Sequence, residues 1–302
     1  MSEYVVEVIN VNKSFGKKHV LKDISFNVKP HEIVGFIGPN GAGKSTTMKC
    51  ICNLIFPDSG TIKVNGYDLF KDREKALASQ AALIESPGLY VDMTGRENIK
   101  LIASLRKISK ERVEEIYAFT ELKDALDRKV SGYSMGMKQR LALGIAIMSK
   151  PKFLILDEPT NGLDPTGIIH LRSTLETLMA NEDIAILFSS HQLGEVEKLA
   201  HRIICINEGQ MIEPPSALNE QFSYIIQVSD QLRSKEVLTE QLEIPIENIR
   251  EIGTDSLRVV FNQQEQLDQM IRALHDSKVK IVDIQKDVMD IETIYKEVYG
   301  AS

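Results

Sequence analysis

Tryptophan is absent from this 302-residue chain, cysteine occurs only three times, and neither positive charge nor long apolar runs are in excess. Three cysteines are too few and odd in number for a disulfide framework. Cys50 and Cys52 are separated by one residue, whereas a redox or zinc pair has two. Cys205 lies in an apolar run of its own. We therefore expect buried free thiols and a reducing compartment.

The charge balance and the short apolar runs exclude two further classes of protein. The formal net charge of −7 does not provide the basic face of a phosphate-backbone binder, so we expect no nucleic-acid partner. Apolar runs such as "LALGIAIM" are far shorter than the roughly 20 residues that span a bilayer. The N-terminus lacks the charged-then-apolar pattern of a signal peptide. We expect that the chain does not cross a membrane by itself.

Strand-like and helix-like segments alternate along much of the chain. Residues 4–35 read as strands, and "GKSTTMKCICNLI" (43–55) reads as a helix. After residue 150, short apolar strands such as "KFLIL" and "IAILFSS" are each followed by a helical pattern. This alternation predicts an α/β fold built on a mainly parallel sheet. A helical stretch at about 90–150 interrupts it and is interpreted as an inserted lobe.

A domain boundary is predicted within "EPPSALNE" (213–220), where two prolines stop the preceding strand. We place one domain at 1–215 and a second at 216–302. The second has the order β-α-β-β-α-β, which predicts a small α+β module of the ferredoxin-like kind. It carries no group of catalytic residues.

The run "GPNGAGKST" (38–46) fits the phosphate-binding pattern G-x-x-x-x-G-K-[ST] between an apolar strand and a helix. Its glycines let backbone N–H groups converge on phosphate oxygens at a helix N-terminus. Lys44 adds a point charge, and Ser45 offers a hydroxyl to Mg²⁺. A glycine-rich turn that matches by chance is the alternative. The predicted ATP-binding residues of this run are Gly38, Pro39, Asn40, Gly41, Ala42, Gly43, Lys44, Ser45 and Thr46.

Two acids follow the apolar strand in "FLILDEP" (153–159). In α/β folds the carboxyl ends of strands are where ligands bind. Adjacent carboxylates are costly there unless a cation or a proton-transfer role retains them. Asp157 is therefore a candidate Mg²⁺ ligand and Glu158 a candidate catalytic residue that polarises water. The alternative is an acidic turn that caps the next element.

Three further segments carry a resemblance to the ATP-binding cassette (ABC) family. "YSMGMKQR" (133–140) resembles its LSGGQ-type signature, "NGLD" (161–164) its D-loop, and "SSH" (189–191) its switch histidine. The resemblance covers about residues 4–215. It implies a P-loop ATPase core, with a mainly parallel sheet, an antiparallel β subdomain and an inserted helical lobe. Tyr133, Met135 and Met137 depart from the usual signature residues.

The resemblance also implies roles for residues and partners. Phe15 would stack on adenine, Ser134, Gly136 and Asp164 would bind ATP, and Lys44, Glu158 and His191 would be catalytic. Because the chain has a single cassette, a second and identical chain would pair with it head to tail around two ATP with Mg²⁺. Separately encoded membrane-spanning permease subunits would complete the transporter. The chain would be cytoplasmic and peripheral on the inner face of the cell membrane.

The segment "ALIESPGLYVDMTGREN" (82–98) resembles the bacitracin and lantibiotic self-immunity branch of the family. Glu85 takes the place of a glutamine that most members have ahead of "PGLY", whereas Gln80 is offset from that register. This implies a catalytic or coupling role for Glu85 and export of a drug or antimicrobial peptide. Two alternatives remain: a solvated loop acid at Glu85, and a soluble regulatory or non-transport ATPase without a membrane partner.

Overall fold

The computed structural model divides the chain into two units, Met1–Glu213 and Pro214–Ser302. The residues that it describes are 3–85, 88–190, 193–212, 222–242, 244–261 and 265–286. The predicted boundary at 213–220 lies outside these residues. Among the described residues, no helix has the length and apolar character needed to cross a membrane.

The first unit alternates strands and helices as the sequence pattern predicts. Its elements in chain order are β1 (Val6–Phe15), β2 (Lys18–Val28), β3 (Ile33–Ile37), α1 (Lys44–Ile51), β4 (Ser59–Val64), β5 (Tyr67–Asp68), α2 (Arg73–Ala78), β6 (Gln80–Leu83), α3 (Gly95–Leu105), α4 (Lys110–Thr120), α5 (Met135–Ile147), β7 (Phe153–Leu156), α6 (Pro165–Asn181), β8 (Ala185–Ser189), α7 (Leu193–Leu199), β9 (Arg202–Asn207) and β10 (Gln210–Ile212). Helix α1 is shorter than the predicted 43–55, because Asn53 adopts a left-handed conformation with a φ of 56°.

Two sheets form the core of this unit. The first is antiparallel, with the order β2-β1-β4-β5. The second has the order β10-β9-β3-β8-β7-β6 and is parallel apart from the β9–β10 hairpin. Strands β3, β7 and β8 are buried along their whole length, as expected of parallel strands covered on both faces. The predicted mainly parallel sheet with an antiparallel subdomain is confirmed.

The helical lobe lies between β6 and β7 in the chain and contains α3, α4 and α5. Each helix starts at a side chain that accepts a backbone N–H: Thr94 for α3, Ser109 for α4 and Ser134 for α5. At α3, the Glu97 side chain also accepts a hydrogen bond from the N-cap backbone and completes a capping box. The inserted lobe predicted at about 90–150 is therefore present, and its helix starts are encoded locally.

The second unit has the predicted β-α-β-β-α-β order. Its described elements are β11 (Phe222–Val228), α8 (Gln231–Glu240), β12 (Ile249–Ile252), β13 (Ser256–Phe261), α9 (Glu265–Asp276) and β14 (Ile281–Lys286). The sheet order is β12-β13-β11-β14 with every pair antiparallel, which is the ferredoxin-like arrangement. Fully buried side chains such as Ile226, Leu257 and Met270 form a core of its own. The helix predicted after β14 lies outside the described residues.

None of the three cysteines forms a disulfide, which agrees with the expectation from the sequence. Cys50 and Cys205 are buried, while Cys52 is only half-buried. Burial raises the pKa of Cys50 to about 11 and that of Cys52 to about 12. Cys50 and Cys52 therefore remain protonated thiols at neutral pH and act as small apolar residues.

Gly209, in the turn between β9 and β10, holds three parts of the first unit together. Its N–H donates to the Ala42 carbonyl at 2.9 Å, and its carbonyl accepts the Lys22 N–H at 2.7 Å. Its φ is 77°, and a Cβ atom built on it would lie 2.1 Å from the Val20 carbonyl oxygen. Only glycine satisfies both conditions at once.

We predict that Gly209→Ala lowers the free energy of unfolding of the first unit by about 3 kcal/mol. The cost of a left-handed conformation for alanine and the cost of the clash with the Val20 carbonyl add together. Gly16→Ala is the matched control, because Gly16 has a φ of 58° but nothing within 4 Å of the place that a Cβ atom would take. That control should lose only about 1 kcal/mol. Urea denaturation measures both, and equal losses would contradict the role given to the clash.

Candidate functional site

The loop between β3 and α1 wraps around the side chain of Lys44. The Lys44 ammonium donates to the Gly38 carbonyl at 2.6 Å and to the Pro39 carbonyl at 3.2 Å. The residue is only 6% exposed. Burial lowers the pKa of Lys44, and the nearby carboxylates of Glu158 and Asp157 oppose that shift. The loop thus presents a desolvated cation at the first turn of a helix, a setting that favours an anion.

Asp157 and Glu158 follow β7 at the carboxyl edge of the parallel sheet, beside that loop. The Asp157 Oδ1 atom accepts hydrogen bonds from the Ser45 hydroxyl at 3.1 Å and from the Ser189 hydroxyl at 2.7 Å. The Glu158 N–H donates to the same Ser189 oxygen at 2.8 Å. Glu158 has a φ of 50°, which is unusual for a residue with a side chain. Ser189 is not among the residues predicted from the sequence, although it lies within "SSH" (189–191).

A cleft of about 450 Å³ brings most of the predicted ATP-binding residues together. Phe15 lines the cleft with an exposed side chain, and Glu158 and Lys44 line the same cleft. The predicted residues that line the cleft are Phe15, Asn40, Gly41, Gly43, Lys44, Ser45, Thr46 and Glu158. The remaining loop residues contribute backbone contacts: the carbonyls of Gly38 and Pro39 hold Lys44, and the Ala42 N–H donates to the Pro39 carbonyl.

Three residues that were not predicted from the sequence also line this cleft, namely Lys18, Val20 and Asn161. Lys18 lies there because β1 and β2 form a tight hairpin that pairs it with Phe15. Asn161 belongs to "NGLD", and its backbone N–H donates to the Glu158 carbonyl at 3.1 Å. The "NGLD" motif was a usable signal for Asn161, whereas the place of Lys18 depends on the register of the hairpin.

The predicted signature residues lie in a different place. Ser134 caps α5 by accepting the Met137 N–H at 3.3 Å, and Asp164 caps α6 by accepting the Gly167 N–H at 2.9 Å. Ser134, Gly136 and Asp164 line a cavity of about 200 Å³ between α5 and α6. The structure therefore brings these three together, separately from the residues that line the first cleft. His191, the remaining predicted catalytic residue, lies outside the described residues.

Tyr133, the first departure from the usual signature, is a core residue of the helical lobe. It is 5% exposed, and its hydroxyl donates to the Ala125 carbonyl at 2.5 Å. A Cβ atom built on Gly95 would lie 2.5 Å from the Tyr133 hydroxyl, so the start of α3 accommodates this ring. Burial raises the pKa of Tyr133. The substitution thus changes the packing behind the signature and leaves Ser134 in place as the N-cap of α5.

Glu85 and Gln80 have different surroundings. Glu85 is exposed, has a φ of 65°, and pairs with Lys49 of α1 at 2.5 Å. The Gln80 amide donates to the Ile51 carbonyl at 2.9 Å. Gln80 also pairs with Phe153 at the start of β7, the opposite end of that strand from Asp157. Gln80 is therefore directed to the end of α1 and away from the cleft.

Comparisons with known proteins agree with these features. A family profile described as "ABC transporter" matches residues 21–161. The bacitracin transport ATP-binding protein BcrA of Bacillus licheniformis is 31% identical over 98% of this chain and 97% of its own length. The lantibiotic transport ATP-binding protein SrtF of Streptococcus pyogenes is 38% identical over 69% of this chain and 89% of its own. A solved ATP-binding subunit of an ABC transporter is 32% identical, with a TM-score of 0.63 over 68% of this chain and 88% of its own.

We predict that Tyr133→Phe lowers the free energy of unfolding by about 1 kcal/mol, because the hydrogen bond from the Tyr133 hydroxyl to the Ala125 carbonyl is lost. The rate of ATP hydrolysis should stay within about two-fold of the wild type, since the ring still supports the start of α5. Tyr90→Phe is the control, because Tyr90 is 52% exposed and should leave both quantities unchanged. A large loss of hydrolysis in folded Tyr133→Phe would show that the departure is part of the signature's chemistry.

Proposed function

Because the chain belongs to the ABC transporter family, we propose that this ATP-hydrolysing subunit drives export of a drug or antimicrobial peptide of the bacitracin or lantibiotic kind. Separately encoded permease subunits would carry the cargo and hold this chain at the inner face of the membrane. The observation that carries the proposal is the cleft lined by Lys44, Ser45 and Glu158, with Asp157 within hydrogen-bond distance of Ser45. Similarity to BcrA along nearly the whole chain supports this branch over a non-transport ATPase.

The cleft supplies groups for each part of ATP. The exposed ring of Phe15 would stack on adenine, and the Lys44 ammonium with the loop's N–H groups would hold the phosphates. The Ser45 hydroxyl and the Asp157 carboxylate lie 3.1 Å apart, and oxygens of these two kinds suit Mg²⁺. They would hold the ion, which would offset negative charge on the phosphates when bound.

Glu158 is the residue placed to act on water. It lines the same cleft as Lys44. Its carboxylate would orient the water that attacks the terminal phosphorus and accept its proton, while ADP departs as the leaving group. We assign His191 to the terminal phosphate on the family resemblance.

A second copy of the chain would complete the site. Ser134 and Gly136 lie at the N-terminus of α5, where a hydroxyl and backbone N–H groups favour an anion. They line the cavity between α5 and α6 and are separate from the chain's own ATP cleft. Head-to-tail pairing would bring the α5 N-terminus of each copy to the terminal phosphate held by the other. We therefore propose a homodimer around two ATP.

The division into an ATP-binding domain (1–215) and an accessory domain (216–302) remains part of this proposal. The chain separates into two units at Glu213 and Pro214. BcrA matches both parts, whereas the match to SrtF covers 69% of this chain and 89% of SrtF itself. The second domain is thus a feature shared with some relatives and need not be present for the ATP chemistry.

We predict that Glu158→Gln keeps ATP affinity but lowers the rate of hydrolysis at least about 100-fold, because the amide cannot accept the proton of water. Trapped ATP should also make the dimer more stable, which size-exclusion chromatography with ATP and Mg²⁺ detects. Glu176→Gln, at an exposed position of α6, is the matched control with an unchanged rate. Equal and negligible rates in the wild type and Glu158→Gln, even with the permease present, would refute the proposed enzyme.

A second prediction concerns the link between Glu85 and α1, the helix that begins with Lys44 and contains Lys49. We predict that Glu85→Gln keeps ATP binding but reduces the drug or peptide resistance gained per ATP hydrolysed, because the ionic link to α1 is lost. Lys49→Gln breaks the same pair and serves as the matched variant. Loss in both variants assigns coupling to the pair, and loss in Glu85→Gln alone assigns it to the carboxylate. Unchanged resistance in Glu85→Gln cells would refute a coupling role.

A further inference from the structure

We infer that Ser189 is a positioning residue for ATP hydrolysis, through a buried hydroxyl that holds both acids that follow β7. The inference rests on the hydrolytic function proposed above and adds a residue to that site. Ser189 is the last residue of β8 and is 0% exposed. It is placed by the sheet itself, since the parallel β7–β8 register pairs Leu156 with Phe188, one residue before Asp157 and Ser189.

The hydroxyl of Ser189 is both a hydrogen-bond donor and a hydrogen-bond acceptor. It donates a hydrogen bond to Asp157 Oδ1 at 2.7 Å, and its oxygen accepts a hydrogen bond from the Glu158 N–H at 2.8 Å. At the end of β8, this side chain therefore connects the strand to the two residues that follow β7. One small group links two neighbouring residues that have different proposed tasks.

The link to Glu158 acts on a conformation that needs support. Left-handed backbone is unfavourable for a residue with a side chain, and Glu158 has a φ of 50°. The hydrogen bond to Ser189 stabilises this conformation, and the conformation decides the direction in which the Glu158 side chain leaves the backbone. Without it, the carboxylate would sample other directions relative to the attacking water.

The link to Asp157 acts on the proposed Mg²⁺ ligand. Two hydroxyls meet at Oδ1, one from Ser45 on α1 and one from Ser189 on β8. The orientation of the carboxylate is thus set by donors on two different elements. If Ser45 turns its oxygen toward an ion, Ser189 still holds the carboxylate in place.

The expected effect is on the chemical step and not on ATP affinity. The contacts proposed to bind ATP come from Phe15 and from the loop that begins α1, and Ser189 does not line that cleft. Displacement of a catalytic group by about 1 Å costs up to about 100-fold in rate. Ser189→Ala should therefore lower kcat between about 10-fold and 100-fold and leave KM for ATP within about three-fold.

The experiment compares kcat and KM for ATP in the full chain for four proteins. These are the wild type, Ser189→Ala, Ser189→Thr and Ser234→Ala, which removes another fully buried serine hydroxyl, on α8. Thermal unfolding and the rise in Tm caused by ATP show that each variant is folded and binds nucleotide. We expect loss of kcat in Ser189→Ala alone, with Ser189→Thr recovering most of the activity because it restores the hydroxyl.

Three results would overturn the inference. One is a folded Ser189→Ala with the wild-type kcat. Another is an equal loss of kcat in folded Ser189→Ala and Ser189→Thr, which would deny a role to the hydroxyl. The last is a wild type that does not hydrolyse ATP with the permease present, which would remove the proposed function together with this inference. A hydrolysing wild type with an unimpaired Ser189→Ala removes the inference alone.

Discussion

The buried ammonium of Lys44 is the charge on which the arrangement of the site depends. A cation taken out of water has to be compensated by hydrogen bonds and by opposite charge. Here two carbonyls of its own loop accept hydrogen bonds from the ammonium, and the carboxylates of Asp157 and Glu158 favour its charged form. Burial still leaves the pKa of Lys44 lowered. The loop therefore holds a desolvated cation, and under the proposed function a phosphate group of ATP would supply further compensating charge.

Asp157 and Glu158 are held in place by hydrogen bonds to groups other than Lys44. Asp157 receives hydroxyls from α1 and β8, and the Glu158 backbone is tied to Ser189. Both carboxylates lie close enough to Lys44 to favour its charged form. The loop and the two acids meet at the carboxyl edge of the parallel sheet, because β3, β7 and β8 end side by side there.

Much of the fold and part of the site could be predicted from the sequence, for physical reasons that differ between residues. Buried parallel strands are short apolar runs, and the loop at 38–46 needs its glycines, so both leave a pattern. Lys18 leaves none, since a lysine is common anywhere and only the register of the hairpin brings it to the site. Ser189 lies within "SSH", but only the strand register shows that it contacts the two acids. Tyr133 departs from the usual signature, yet its ring is buried in the lobe behind it. The sequence shows that Tyr133 departs from the signature, but only the structure shows that its ring packs inside the lobe.

The contact between Gly209 and Ala42 has a consequence for how the chain is made. The N–H of Gly209 completes the hydrogen bonding of the ATP-binding loop from a hairpin that lies at the far end of the first unit's sequence. On the ribosome, residues 38–46 emerge early and wait for most of the unit to be translated before this partner reaches them. Domains fold as units during synthesis. The hydrogen bond between Gly209 and the loop at 38–46 can therefore form only after the β9–β10 hairpin has left the ribosome.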